Sequence, residues 1–271
     1  MRGTTKKNWP RILVWALIVI PSLVALQIAI LLAGFLVGAY AYFARDLPTV
    51  ADLERYEPRV PVFSSNQEVG SREPKFMVDM DHVPSHLTNA FLAATDPRFL
   101  KSGSADPANE VYCFLTLSLP PKLWPRKTCT DCWQTARLSQ YVARMFLIPA
   151  QYPMARRKIR QLILAIRLER TWGRKKVLWV YLNQVYLGKG CHGVGEAADY
   201  YFGKRVEQLS VAEAALIAGI SQRPVSYNPM TYPDLADKRK QYVLKTMMER
   251  DFLSPEEYEK AKAEPLQFVK R

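Results

Sequence analysis

Residues 93–99 read AATDPRF. A lone acid, Asp96, stands where an amphipathic run, VPSHLTNAFLAA (83–94), gives way to the loop-like LKSGSADP (100–107), and Thr95 precedes it. A carboxylate at such an edge is a group that can take a proton. Farther along, Arg156, Arg157, Lys158, Arg160, Arg167, Arg170, Arg174, Lys175 and Lys176 crowd residues 156–176, with only Glu169 opposing them. Most of that run reads as a solvated or membrane-facing helix surface, and part of it fits a ligand that carries phosphate. Cys129 and Cys132 form a C-x-x-C, while Cys113 and Cys191 bring the cysteines to four. That pattern leaves open a redox site, half a zinc site, a structural clip and free thiols. His192, in a Gly-rich turn beside Cys191, fits a turn residue better than a metal ligand.

These groups need elements to position them, and the apolar spacing predicts mostly helices. VPSHLTNAFLAA and ARLSQYVARMFL (136–147) carry apolar residues at helical intervals. In RRKIRQLILAIRLERTWG, residues Ile159, Leu162, Ile163 and Ile166 make one face, and Gly173 is a stop signal. A second helix is expected over KKVLWVYLNQVYLG, ending at Gly188. Ser210 with Glu213, and Ser254 with Glu257, have the spacing of N-terminal capping boxes. Residues 45–80 read as a linker with a short β-like piece, VPVFSS, and 105–135 as loop-rich.

Location narrows the function classes. From Ile12 to Phe43 no residue is charged, and a spanning helix needs only about 20 apolar residues. Pro21 is a place where such a helix can kink. The run is too long for the core of a cleaved signal peptide. Arg2, Lys6, Lys7 and Arg11 precede it, and a mixed-charge segment follows. The positive-inside rule then sets the N-terminus in the cytoplasm and the rest outside, at the inner membrane. Among 271 residues, 38 Lys and Arg against 25 Asp and Glu give a formal charge of +13. Outside the membrane that surplus argues for an anionic bilayer surface or a phosphate-bearing substrate, and against nucleic acid.

Five separated segments, in order, resemble one family, the peptidoglycan glycosyltransferases of family 51, which include monofunctional transglycosylases and the polymerase domain of class A penicillin-binding proteins. YLNQVYLGKGCHGVGEAADYYFGK (181–204) and LSVAEAALIAGISQRPVSYNP (209–229) resemble its YLN…YFGK and L-S-x-x-E-A-A-x-x-A-G motifs. RKIRQLILAIRLE (157–169), RKQYVLKTM (239–247) and LPTVADLERYEP (47–58) resemble three others, so the likeness runs over nearly everything from 46 to 260. The resemblance implies a mainly α, lysozyme-like glycosyltransferase domain at 81–271, behind a linker at 45–80 and a single transmembrane anchor at 1–44. It also implies a reaction: lipid II units are joined into glycan strands, a general base acting on the attacking hydroxyl and positive charge on the departing pyrophosphate.

The same likeness exposes losses. ATDPRFLKSGSADP (94–107) resembles the end of the family's first motif, A-x-E-D-x-x-F-x-x-H-x-G-x-D-P, matching it at Asp96, Phe99, Asp106 and Pro107. Thr95 stands where the family has its catalytic Glu, Ser102 for His and Ser104 for Gly. Gln161 replaces the Glu of the third motif, and Trp179 replaces the Glu two residues before the Tyr of YLN. In WQTARLSQYVAR (133–144) only Thr135 and Gln140 match the second motif, with Arg137 and Arg144 adding charge. By resemblance Gln140, Arg157, Lys158 and Arg174 fall to substrate binding, and a divalent metal, Mg or Mn, is an optional aid to the leaving group. The residues themselves supply no metal site.

A Thr hydroxyl is not ionised at neutral pH and a Gln carries no charge. The expectation is a weak or inactive family member that binds lipid II or glycan, or scaffolds proteins of cell-wall synthesis. One alternative is an active transferase with the base moved to Asp96, or more remotely to Glu110. Asp96 points about 100° from position 95 on a helix. The other alternative is a basic module for an envelope polymer or a partner protein.

Overall fold

The computed structural model describes residues 19–64, 67–97, 99–102, 138–148 and 153–269. Two compact units emerge, residues 1–47 and 48–271. The first holds α1, Ile20–Ala44, whose length and apolar composition suffice to cross a membrane. No residue of α1 is buried within the protein, as expected of a helix whose solvent is lipid. The turn before Pro21, on which a kink there depends, lies outside the described residues.

The second unit is mainly helical. Its chain begins with α2 (Val50–Glu54), started by a reciprocal cap between Thr49 and Asp52. An antiparallel hairpin follows, β1 (Val60–Ser64) against β2 (Gln67–Arg72), with an irregularity between Val62 and Phe63. This is where VPVFSS was expected to be β-like. Next come α3 (Ser85–Thr95), α4 (Phe99–Ser102) and α5 (Leu138–Val142), which runs into a single wider turn at Ala143–Leu147. The longest element is α6, Met154–Gln184, broken at Gly173. The rest is α7 (Val194–Phe202), α8 (Val211–Ile220), α9 (Pro233–Glu249) and α10 (Pro255–Ala263).

The core sits around α8, every residue of which from Ala212 to Ile220 is buried. It packs on α3 and α9. Ser210 and Glu213 cap α8, and Ser254 and Glu257 cap α10, each by the reciprocal pattern read from the sequence. Glu213 is buried because it also receives the Lys204 ammonium at 2.7 Å.

One helix end differs from expectation. The helix expected to end at Gly188 stops at Gln184. Residues 185–193 instead fold into a turn, with Tyr186 paired to His192 and Gly193 N–H donating to Val185 C=O at 2.8 Å. Gly193, at φ +81°, lies so close to Asn183 that a Cβ would meet its carbonyl oxygen at 2.6 Å. Only glycine fits there.

Candidate functional site

Helix α3 delivers Thr95 and Asp96. Leu87, Ala90, Phe91 and Ala94 face the core and fix the helix on α8 and α9. Thr95, half-buried at the last turn, donates its hydroxyl to the Phe91 carbonyl at 2.6 Å. The side chain is thereby turned back along its own helix, and its one proton is engaged. Asp96 terminates the helix in an extended conformation, φ −148° and ψ 83°. One of its carboxylate oxygens accepts the Leu138 N–H at 3.4 Å. The Ala94 carbonyl, at the negative end of the helix, accepts from the Gln222 amide and, at 3.4 Å, from Arg239. The Arg239 guanidinium lies 4.6 Å from the Tyr242 ring centroid and 5.7 Å from that of Tyr227. Burial lowers its pKa, but an arginine remains a cation at this helix C-terminus.

The first turn of α5 joins this edge to α6 through three successive residues. Leu138 N–H reaches Asp96, Ser139 hydroxyl donates to Glu169 at 2.6 Å, and the Gln140 amide oxygen accepts from Gln161 at 3.3 Å. Ser139, Gln140 and Gln161 are buried. Three expected site residues, Asp96, Gln140 and Gln161, are therefore brought to one place. The structure adds Glu169, which in the sequence is only a lone opposing charge. The available signal is its spacing: eight residues past Gln161 is about 80° round the helix, inside one broad face.

Gln140 and Gln161 make a neutral amide pair where a carboxylate would carry charge. Such a pair holds shape and supplies hydrogen bonds, but it cannot take a proton from a hydroxyl. Behind it, Tyr181 is wholly buried between the rings of Phe91, 5.8 Å away, and Tyr141, 5.3 Å away. Burial raises the phenol pKa of both tyrosines, so both are neutral spacers.

The cations divide. Arg157 is half-buried and Lys158 exposed on the first turns of α6, a helix start with no acidic residue. Arg144 lies 5.5 Å from the Tyr141 ring centroid. Arg160 is fully buried and belongs to the interior of the domain. Arg174 donates to the Leu100 carbonyl at 2.9 Å. That contact ties it to α4, the segment just after Asp96, whose Phe99 N–H bonds the Asp96 carbonyl at 3.0 Å.

Trp179 does not reach this edge with its polar end. Its indole N–H donates to the Val78 carbonyl at 2.8 Å. Asn183 holds the same residue, accepting Val78 N–H at 2.7 Å and donating to its C=O at 3.0 Å. Both are fastenings for the segment before α3. His192 is a turn residue: its ring stands 5.0 Å from that of Tyr186, and its N–H donates to Glu196 at 3.0 Å. Burial lowers its pKa, so it is neutral.

Ser104, Asp106, Pro107, Glu110, Cys113, Cys129, Cys132, Thr135 and Arg137 lie outside the described residues, as does the side chain of Ser102. Cys191 is buried. Among the described residues no three His, Cys, Asp or Glu converge as metal ligands. With Gln at 161, the described donor set does not fit a resident divalent metal.

Residues 136–248 match the model of a family described as transglycosylase. The chain is 34% identical over 239 residues to penicillin-binding protein 1A of Aquifex aeolicus, covering 86% of this chain and 31% of that protein. It is 31% identical over 239 residues to penicillin-binding protein 1A of Escherichia coli K12, covering 86% of this chain and 27% of that one. A crystal structure of penicillin-binding protein 1A from Haemophilus influenzae aligns with a TM-score of 0.43 and 21% identity, over 79% of this chain and 22% of that chain. The chain spans less than a third of the length of the curated relatives it matches. The family model and the two sequence relatives, which run along most of its length, show that the chain carries a transglycosylase domain of glycosyltransferase family 51.

Proposed function

We propose that this protein is a membrane-anchored, family 51 domain that binds lipid II or nascent glycan on the outer side of the inner membrane and polymerises it weakly or not at all. One observation carries the reading. At the two positions where the family has glutamates, the hydroxyl of Thr95 is spent on its own helix and Gln161 is an amide paired with Gln140. Neither group takes a proton. Loss of a general base alone costs about 100- to 10,000-fold in rate. Arg157, Lys158 and Arg144 supply positive charge for the anionic pyrophosphate. The bound substrate in turn makes a scaffold among proteins of cell-wall synthesis a coherent role.

The test is polymerisation of labelled lipid II by the purified full chain, followed on a gel, with binding measured in parallel. Saturable binding without glycan chains supports the reading. A second reading has one specific observation behind it: Asp96 is half-exposed, ionisable and adjacent to Thr95. If the protein makes chains and Asp96→Asn abolishes them, the base has moved to Asp96. A basic module for other envelope polymers predicts instead binding that collapses with salt and ignores lipid II.

A further inference from the structure

Helix α6 breaks at Gly173, and the residues on either side of the break hold different parts of the domain. Gly173 has φ +68° and ψ 164°, a conformation open to glycine and costly for other residues. Trp172, just before it, donates its indole N–H to the Leu53 carbonyl at 2.6 Å. Arg174, just after it, donates to the Leu100 carbonyl at 2.9 Å. Leu53 lies in α2, the first element after the anchor in sequence. Leu100 lies in α4, hydrogen-bonded back to Asp96.

The grip on the post-anchor segment is extensive. Arg167 donates to the Pro48 carbonyl at 2.6 Å, and the Gln184 amide donates to that of Arg59. Tyr56 donates its hydroxyl to Gln184 at 2.9 Å, and its ring lies 5.3 Å from that of Trp172. Trp172 and Leu53 are buried. Residues 48–59 thus lie along α6 as a strap, fastened on both sides of the break.

We propose that Trp172 and Arg174 are paired positioning residues: the break at Gly173 sets the strap (48–59) and α4 (99–102) at a fixed spacing, so that loosening either loosens the other. This rests on reading Thr95, Asp96 and α4 as the edge of the binding site. Its consequence is that ligand capture at that edge is sensitive to the segment next to the anchor.

The test is amide hydrogen exchange of the full chain in nanodiscs, without lipid II. Trp172→Phe keeps the ring and removes the N–H donor; Arg174→Ala removes the other grip, and Arg174→Lys restores a donor. Each loss is expected to speed exchange about tenfold in both segments, 50–56 and 99–102. Arg174→Lys should return both toward the parent rate. Acceleration confined to the segment that each side chain touches overturns the proposal. If Trp172→Phe also exposes α8, so that the whole domain has opened, Gly173→Ala decides. An added methyl there meets nothing within 4 Å, so it perturbs the backbone angle alone. Acceleration of both segments supports the coupling, and an unchanged rate in either overturns it. With lipid II absent, the outcome is independent of whether the protein binds it.

Discussion

Two buried polar clusters in the second unit are built on opposite plans. Around Glu196, a carboxylate receives Arg72 through two contacts at 2.8 and 3.2 Å, Lys75 N–H at 2.8 Å and His192 N–H at 3.0 Å. It ties the end of β2 to the turn before α7. Around Gln161, the partner is another neutral amide, and the Thr95 hydroxyl donates to its own helix. The first cluster is centred on a charge, whereas the second is centred on a neutral amide pair, with the carboxylates of Asp96 and Glu169 held by the neighbouring residues Leu138 and Ser139. The difference teaches that the contacts holding β2 to the turn before α7 are made by residues separate from those at the candidate site.

Mutations sharpen that contrast, beginning with the framework. Gly195 packs so closely that a Cβ would sit 2.3 Å from the Phe76 carbonyl oxygen. Gly195→Ala is expected to destabilise by about 3 kcal/mol or more, read as a fall in the denaturant midpoint. Glu196→Gln should follow at about 2 kcal/mol, because hydrogen bonds to a charged acceptor are lost while Arg72 stays partly solvated. A stability change under about 0.5 kcal/mol in either variant, the range of ordinary surface substitutions, would break the comparison.

Acid should reveal the same cluster. Burial pushes the Glu196 carboxyl up, but Arg72 and the His192 and Lys75 N–H groups outweigh it and hold its pKa below the usual range. A carboxylate with a depressed folded pKa contributes stability above its unfolded value, near about 4.3, and loses it as pH falls through the folded pKa. The Tm difference between the parent and Glu196→Gln should therefore be constant near neutrality and shrink below about pH 4.3. A neutral pair such as Gln140 with Gln161 contributes no such pH dependence. The smallest effect belongs to the site: Thr95→Val should cost within about 1 kcal/mol and leave lipid II affinity unchanged, since only a hydrogen bond within α3 is lost.

Much of this framework is legible in the sequence because it is local. The capping boxes at Ser210 and Ser254, the amphipathic run before Thr95 and the uncharged stretch of α1 are patterns within a few residues of each other. Gly173 is read correctly as an interruption, though the chain resumes a helix at once. The end at Gln184 is missed because it is decided by a tertiary contact: Gly193 must approach Asn183. The cluster of Asp96, Gln140 and Gln161 was reachable only through family motifs, since their partners lie 21 to 42 residues apart along the chain. Glu169 escaped notice because its role depends on Ser139, 30 residues away. The arginine run shows the reverse limit. Composition counts Arg160 and Arg174 with Lys158, yet one is in the core, one holds a backbone carbonyl and one faces solvent.

The central claim is that binding survives without the proton-transfer groups. The direct measurement gives the purified full chain labelled lipid II and Mg, with Thr95→Glu alongside, and follows both binding and glycan products. The account predicts saturable binding and no glycan chains from the parent. It predicts no recovery from Thr95→Glu alone, because Gln161 and Trp179 are still in place. Glycan chains from the unaltered protein at the rate of an ordinary transglycosylase would contradict it.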